Sequence, residues 1–164
     1  MKILEFNTTE DQRSRAEDLA KNFKLNASSI MGGARNLYAF LGEVVCGDYF
    51  EQKGWKLHPT EYNPYDFDIM DDKGKKWDIK TKMTTVKPKG NFNCTINTYI
   101  DQKCDGYIFV RCLKSLKKVW ILGWVNKETL KTVGTKHKAG DIDDNLVMSR
   151  DGIGIQINKL NSFA

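Results

Sequence analysis

The sequence predicts an α/β (α+β) domain with a central sheet flanked by helices. Three observations carry this. Helical periodicity fills the first third of the chain. Period-two alternation then takes over, at 65–70, 77–82 and 153–157. Two strongly apolar runs, 106–113 and 119–125, read as buried strands. Helices followed by strands, with more helix late, give a mixed class. Neither a repeat nor a low-complexity tract interrupts the pattern, and there are only three prolines, Pro59, Pro64 and Pro88.

Thr8 and Thr9 precede Glu10, Asp11 and Gln12, an N-cap with acids in the first turn. The helix that follows runs to about Phe23 with Ala16, Leu19, Ala20 and Phe23 as its apolar stripe. Asn26-Ala-Ser-Ser is a link and Met31-Gly-Gly a second soft point. A second helix is expected from about Ala34 to Lys53, because Leu37, Phe40, Leu41 and Val44 fall at i, i+3, i+4 and i+7. Gly54 suits its end. Trp55 to His58 is a short strand, and Pro59 to Pro64 a connection. The runs 65–70 and 77–82 form a hairpin around Asp71-Asp72-Lys73-Gly74. A basic loop joins the two apolar strands, a short helix occupies 126–133, and 153–157 is a final strand.

The length of 164 residues fits the ~100–200 residues of one domain. At 40% hydrophobic and 29% charged residues, the chain has a core to bury and is not of the disordered class. No run of ~18 apolar residues marks a membrane span, and the first residues turn polar without an apolar leader, so an intracellular, cytoplasmic protein is expected. Four irregularly spaced cysteines (Cys46, Cys94, Cys104, Cys112) make no disulfide scaffold and read as buried or half-buried thiols. The net charge of +5 is local. Residues 73–89 hold seven lysines against Asp78, a net of +6, which leaves −1 for everything else. Such a stripe attracts polyanions, or is a solvated lysine-rich hairpin.

The hairpin has a defined geometry. Phe67 and Ile69 must share the apolar face with Trp77 and Ile79, so paired residue numbers sum to an even number. An odd loop satisfies this, for example Asp72-Lys73-Gly74 with Gly74 left-handed. Asp66, Asp68, Asp78 and Lys80 then share the opposite face. Carboxylates crowd there only at the expense of raised pKa values unless a cation joins them. Mg²⁺ accepts carboxylate oxygens and keeps water ligands, and a neighbouring lysine can hold a phosphate. An ordinary amphipathic hairpin with a wet polar face is the structural alternative. Asp66-x-Asp68-x-x-Asp71 lacks EF-hand spacing. The cysteines with His58 and His137 lack zinc spacing. Ser28, Ser29 and Ser115 lack a nucleophile elbow. Gly32-Gly33 lacks the P-loop lysine, so no nucleotide cofactor is expected. Trp120 and Trp124 read as core; Phe92 and Tyr99 are either base-stacking or packing residues.

Leu41-Gly-Glu43-Val-Val on a helix, Asn63-Pro-Tyr-Asp66-Phe at a strand start and Asp78-Ile-Lys80-Thr-Lys82 on the next strand together resemble the PD-(D/E)XK nuclease superfamily. Asp105-Gly-Tyr-Ile-Phe-Val and Trp120-Ile-Leu-Gly-Trp124 look like the later core strands of small phage and bacterial members. The resemblance covers roughly residues 34–125. Pro64 does not directly precede Asp66, and Asp68 competes for the motif position, with Asp66 preferred. The resemblance implies a restriction-endonuclease-like core of about four to six strands at 34–125. An N-terminal helical extension at 1–30 and C-terminal elements at 126–164 would flank it. It implies a Mg²⁺-dependent DNA endonuclease, with Mn²⁺ able to substitute. Glu43, Asp66, Asp78 and Lys80 would be catalytic, and Asp66, Asp78, Glu43 and the Ile79 carbonyl would hold the metal, with Asp68 the alternative ligand. Lys82, Lys87, Lys89 and Arg35 would contact DNA. A homodimer is compatible with the small size. The competing expectations are a nucleic-acid-binding protein of the same fold without catalysis, and a viral structural or interaction protein.

Overall fold

The computed structural model describes residues 2–26, 34–59, 66–98 and 101–163; the side chains of 23–26 and 34–36 lie outside the described set. In chain order the elements are β1 (Leu4–Asn7), α1 (Glu10–Asn26), α2 (Ala34–Glu51), β2 (Lys56–Leu57), β3 (Ile69–Met70), β4 (Lys76–Thr84) and β5 (Asn93–Asn97). They continue with β6 (Gly106–Leu113), β7 (Lys118–Asn126), α3 (Lys127–Val133), β8 (Thr135–His137), β9 (Ile142–Asp143), β10 (Leu146–Val147) and β11 (Gly152–Gln156). The expected α/β class with a central mixed sheet is what the chain adopts. Six strands lie in the order β1-β7-β6-β4-β3-β2, with β4 and β6 parallel and their other neighbours antiparallel.

Local chemistry sets the helix ends. Thr9 N–H donates to Gln12 Oε1 and Gln12 N–H to Thr9 Oγ1, both at 3.0 Å, a reciprocal capping box. At the other end of the pair, Trp55 N–H returns to the Phe50 carbonyl and Gly54 N–H to that of Glu51. The two rings of that Schellman closure, Phe50 and Trp55, stack at 4.3 Å. Helix α2 therefore stops at Glu51, two residues before the expected end, and the chain turns back to the sheet.

The sheet is covered on both faces. Ile69, Trp77, Ile79, Ile108, Val110, Cys112, Val119 and Ile121 pack under α1 and α2, which contribute Ala16, Ala20, Phe40, Leu41 and Phe50. Tyr107, Phe109, Trp120, Leu122 and Val125 face a second layer made of α3 and the three-stranded sheet β5-β11-β8. Strand β6 lies between two cores, which explains a run that is apolar but for Arg111.

Two expectations change here. The first residues form β1, an edge strand paired with β7 (Leu4 opposite Ile121), and α1 packs through Ala16 on the core, so 1–30 includes sheet and core elements and is not simply a helical appendage. Of the expected strand at 65–70, residue 65 lies outside the described residues, and the described part is regular at Ile69–Met70 only. The hairpin register agrees with expectation: Ile69 pairs with Trp77 and Met70 with Lys76. Asp71 N–H closes onto the Lys75 carbonyl across a loop in which Gly74 has φ +82°.

Candidate functional site

Strand β4 delivers Asp78, Lys80 and Lys82 to the face that looks at β5 and Tyr107, while Ile79 and Thr81 look toward α2. Helix α2 lies directly on this strand. A Cβ built on Gly42 would sit 2.0 Å from Thr81 Oγ1, so only glycine lets the helix approach this closely. The next residue, half-buried Glu43, is thereby placed beside the β3–β4 hairpin.

Asp68 and Asp78 meet there, within electrostatic reach of Glu43 on α2. Asp68 lies opposite Asp78 in the hairpin register: its N–H donates to the Trp77 carbonyl (2.9 Å), and its Oδ2 accepts the Ile79 N–H (2.6 Å). Burial, then the Asp78 charge, push its pKa up to about 7 against the opposing pull of the Ile79 N–H and Lys80. Burial also raises Asp78, which is 3% exposed, although Lys80 opposes the shift. Glu43 is raised well above the carboxylate range by burial, by Asp68 and by Asp78. Lys80 supplies the counter-charge, with its Nζ 2.8 Å from Asp78 Oδ2. Burial acts to lower the ammonium, but Asp78 and Asp68 outweigh it and the net shift is upward. Three acids and one lysine in a poorly solvated corner are short of positive charge.

Asp78 Oδ2 is closed off from solvent and has no hydrogen bond of regular geometry among the described residues; its contact with Lys80 is an ion pair only. A buried carboxylate oxygen met only by the Lys80 ammonium, with Asp68 opposite in the hairpin, has the chemistry to accept a hard divalent cation. Among the described residues, no three His, Cys, Asp or Glu side chains stand as a ready-made cage. Mg²⁺ requires none, since it binds through one or two carboxylates and completes its shell with water and phosphate oxygens. Lys80 also opens onto a pocket of about 140 Å³ lined by Thr95, Asn97, Gln102 and Tyr107.

Asp66 lies at the margin of this cluster, where its charge still adds to the rise of Asp68 but its own contacts are elsewhere. Its Oδ2 pairs with His58 Nε2 at 3.2 Å and its Oδ1 accepts the Phe67 N–H. These contacts, the Phe67 N–H foremost, lower its pKa, the opposite of the shift at Asp68. The chain bends at 66–68 before β3 begins, and the face shared by Asp66 and Asp68 in a straight strand is lost. Of the expected residues, Asp78 and Lys80 are in contact, Glu43 is coupled to them through charge, and Asp68, the alternative ligand, lies opposite Asp78 where Asp66 does not.

The expected phosphate contacts divide. Lys89 is exposed. Lys87 is exposed and pairs with Glu5 at 2.8 Å. Lys82 turns inward to Asp143 and Asp144, at 3.8 and 3.4 Å. The side chain of Arg35, the residues 63–65 of the aspartate motif, and Tyr99 lie outside the described residues. Phe92 packs in the second core with the Arg111 guanidinium 5.8 Å from its ring centre. Trp120 is buried core, and Trp124 packs edge-on against Trp77. All four cysteines are free thiols, three buried and Cys104 half-buried. Reading the sequence overlooked Arg111, Asp143 and Asp144. The isolated charge in Tyr-Ile-Phe-Val-Arg111-Cys-Leu, inside an otherwise apolar strand, was the available signal. No family model matches this chain, and no curated protein sequence matches it.

Proposed function

We propose that the protein is a metal-dependent DNA endonuclease of the PD-(D/E)XK type. The reading rests on the convergence of Glu43, Asp68, Asp78 and Lys80 at the edge of a mixed sheet, next to a lysine-rich strand exit. Asp68 and Asp78 would hold the cation, with Glu43 beside them and the Ile79 carbonyl as the backbone candidate. When bound, a divalent ion polarises a phosphate oxygen and lowers the pKa of its water. Lys80, held by Asp78, would contact the phosphate and orient the attacking water. The Ile79 N–H holds the Asp68 carboxylate through Oδ2. Lys87 and Lys89, at the exposed exit of β4, would position the DNA backbone without reading its sequence.

A cleavage panel tests this: supercoiled, linear, branched and single-stranded DNA incubated with Mg²⁺, Mn²⁺ or EDTA. Metal-dependent strand breaks are expected. Salt-sensitive binding with no cleavage under any metal would assign the protein instead to nucleic-acid binding without chemistry.

A further inference from the structure

Lys82 and Arg111 lie directly opposite each other on the parallel strands β4 and β6. Two cations side by side, one of them only 4% exposed, are an unfavourable arrangement unless an anion joins them. The anions present are the chain's own Asp143, 3.8 Å from Lys82 Nζ, and Asp144, which touches both cations. Asp144 Oδ2 accepts from Arg111 Nη2 at 2.9 Å, lies 3.4 Å from Lys82 Nζ, and takes the Asn93 backbone N–H at 3.2 Å. A guanidinium, an ammonium and a backbone N–H converging on one carboxylate oxygen are the donors that a phosphodiester oxygen takes.

Asp144 reaches this position from the turn of a small appendage. Among the described residues, strands β9 and β10 pair only with each other, Asp143 opposite Leu146 and Ile142 opposite Val147. Asp144 and Asn145 between them have φ +47° and +64°, the two left-handed residues of a tight hairpin turn. An isolated two-stranded hairpin is marginal in water. This one leaves Ile142 72% and Val147 70% exposed, so burial contributes little to holding it down. Polar anchors do that: Asp143 on Asn93 Nδ2 (2.8 Å) and Thr95 Oγ1 (2.6 Å), and Asp144 on the two cations. Lys82 is two residues beyond Lys80 on the same face of β4, so the cradle lies one strand repeat from the candidate catalytic lysine.

We propose that Lys82, Arg111 and the Asn93 N–H form a phosphate-binding cradle for duplex DNA, which Asp144 at the tip of the β9–β10 hairpin plugs in the free protein. The inference rests on the nucleic-acid reading of the neighbouring site and adds a competitor to it. DNA must displace the hairpin tip to reach the cradle.

The test measures binding in EDTA, where cleavage plays no part. A fluorescein-labelled duplex is titrated into wild type, Asp144→Asn and Glu128→Gln. Asparagine keeps the left-handed turn, and Glu128, exposed on α3, carries the same charge change away from the cradle. Asp144→Asn is expected to bind about tenfold more tightly than wild type, with Glu128→Gln within about twofold, because loss of a rim charge alone shifts affinity little. Equal gains in both variants, or none in Asp144→Asn, overturn the plug. Hydrogen exchange on the wild-type complex is independent of any variant's folding. Segment 142–148 should exchange faster with DNA bound, while the Asn93 N–H stays protected; unchanged or increased protection of the segment overturns the proposal. A tenfold gain by Asp144→Asn without cleavage in Mg²⁺ would leave the cradle standing and remove the nuclease. Cleavage without the gain would do the reverse.

Discussion

Gly42→Ala tests whether the closeness of α2 to β4 is what places Glu43. The added methyl would meet Thr81 Oγ1 at 2.0 Å and the Thr81 Cβ and Cγ2 at 3.0 Å. Both residues belong to rigid elements, and Thr81 Oγ1 is itself buried without a hydrogen-bond partner among the described residues. Overpacking of this kind costs about 1–3 kcal/mol, and so deep an overlap belongs at the upper end. Alanine returns about 1 kcal/mol of helix propensity. The net loss is about 2 kcal/mol, or about 4–8 °C in Tm for a chain of this size. Thr81→Ala removes both the clashing hydroxyl and an unsatisfied buried group. The double variant Gly42→Ala/Thr81→Ala should therefore recover most of the loss, with a coupling of at least about 1 kcal/mol. Thermal unfolding of the four proteins in the cycle measures it. A Gly42→Ala protein as stable as wild type, or a double variant whose losses simply add, would refute the close-contact reasoning.

Other expectations follow from the same geometry. Asp68→Asn should abolish metal-dependent cleavage while Asp66→Asn retains it, since Asp66 is engaged by His58; parallel cleavage assays decide, and the reverse order would restore Asp66 to the motif position. Mg²⁺ at about a hundredfold excess over its Kd should stabilise the protein by about 2.7 kcal/mol. That increment is read as a thermal shift that Asp78→Asn removes. Arg15 hydrogen-bonds Asp48 and holds its carboxyl below the usual value, so this pair's contribution is complete above the unfolded carboxylate pKa and is lost as pH falls through the lowered folded one. With both side chains near a third exposed or more, it is worth about 0.5 kcal/mol. Asp48→Asn should cost that much at about pH 7 and progressively less as pH falls below the unfolded carboxylate pKa, as measured by denaturant unfolding.

Much of the central architecture could be read from residue order because it depends on local chemistry. The Thr9–Gln12 capping box, the α2 stripe and the odd three-residue loop at Gly74 each declare themselves within a few residues. What escaped depends on partners distant in sequence. Strand β1 is four residues long, and only pairing with β7, more than 110 residues away, makes Leu4-Glu-Phe-Asn7 a strand. Strand β5 begins and ends in asparagine, a poor strand former, and is held by β11. The same contrast runs through the candidate site. Asp78 and Lys80 share a face by strict alternation along one straight strand. Ranking Asp66 above Asp68 assumes a straight strand, and the bend at 66–68 breaks the parity on which alternation depends. Lys82 looked free because its partners, Asp143 and Asp144, come some sixty residues later, from a hairpin whose exposed apolar residues gave no sign of where it folds.

Cleavage of supercoiled plasmid by wild type, Asp78→Asn and Lys80→Ala, each in Mg²⁺ and in EDTA, tests the central claim most directly. Duplex binding in EDTA and thermal unfolding serve as controls on the same preparations. Wild type should nick the plasmid only with Mg²⁺, and both variants should fold, bind DNA and leave it intact. Nicking by either variant at the wild-type rate, or an inert wild type that binds DNA, would contradict it.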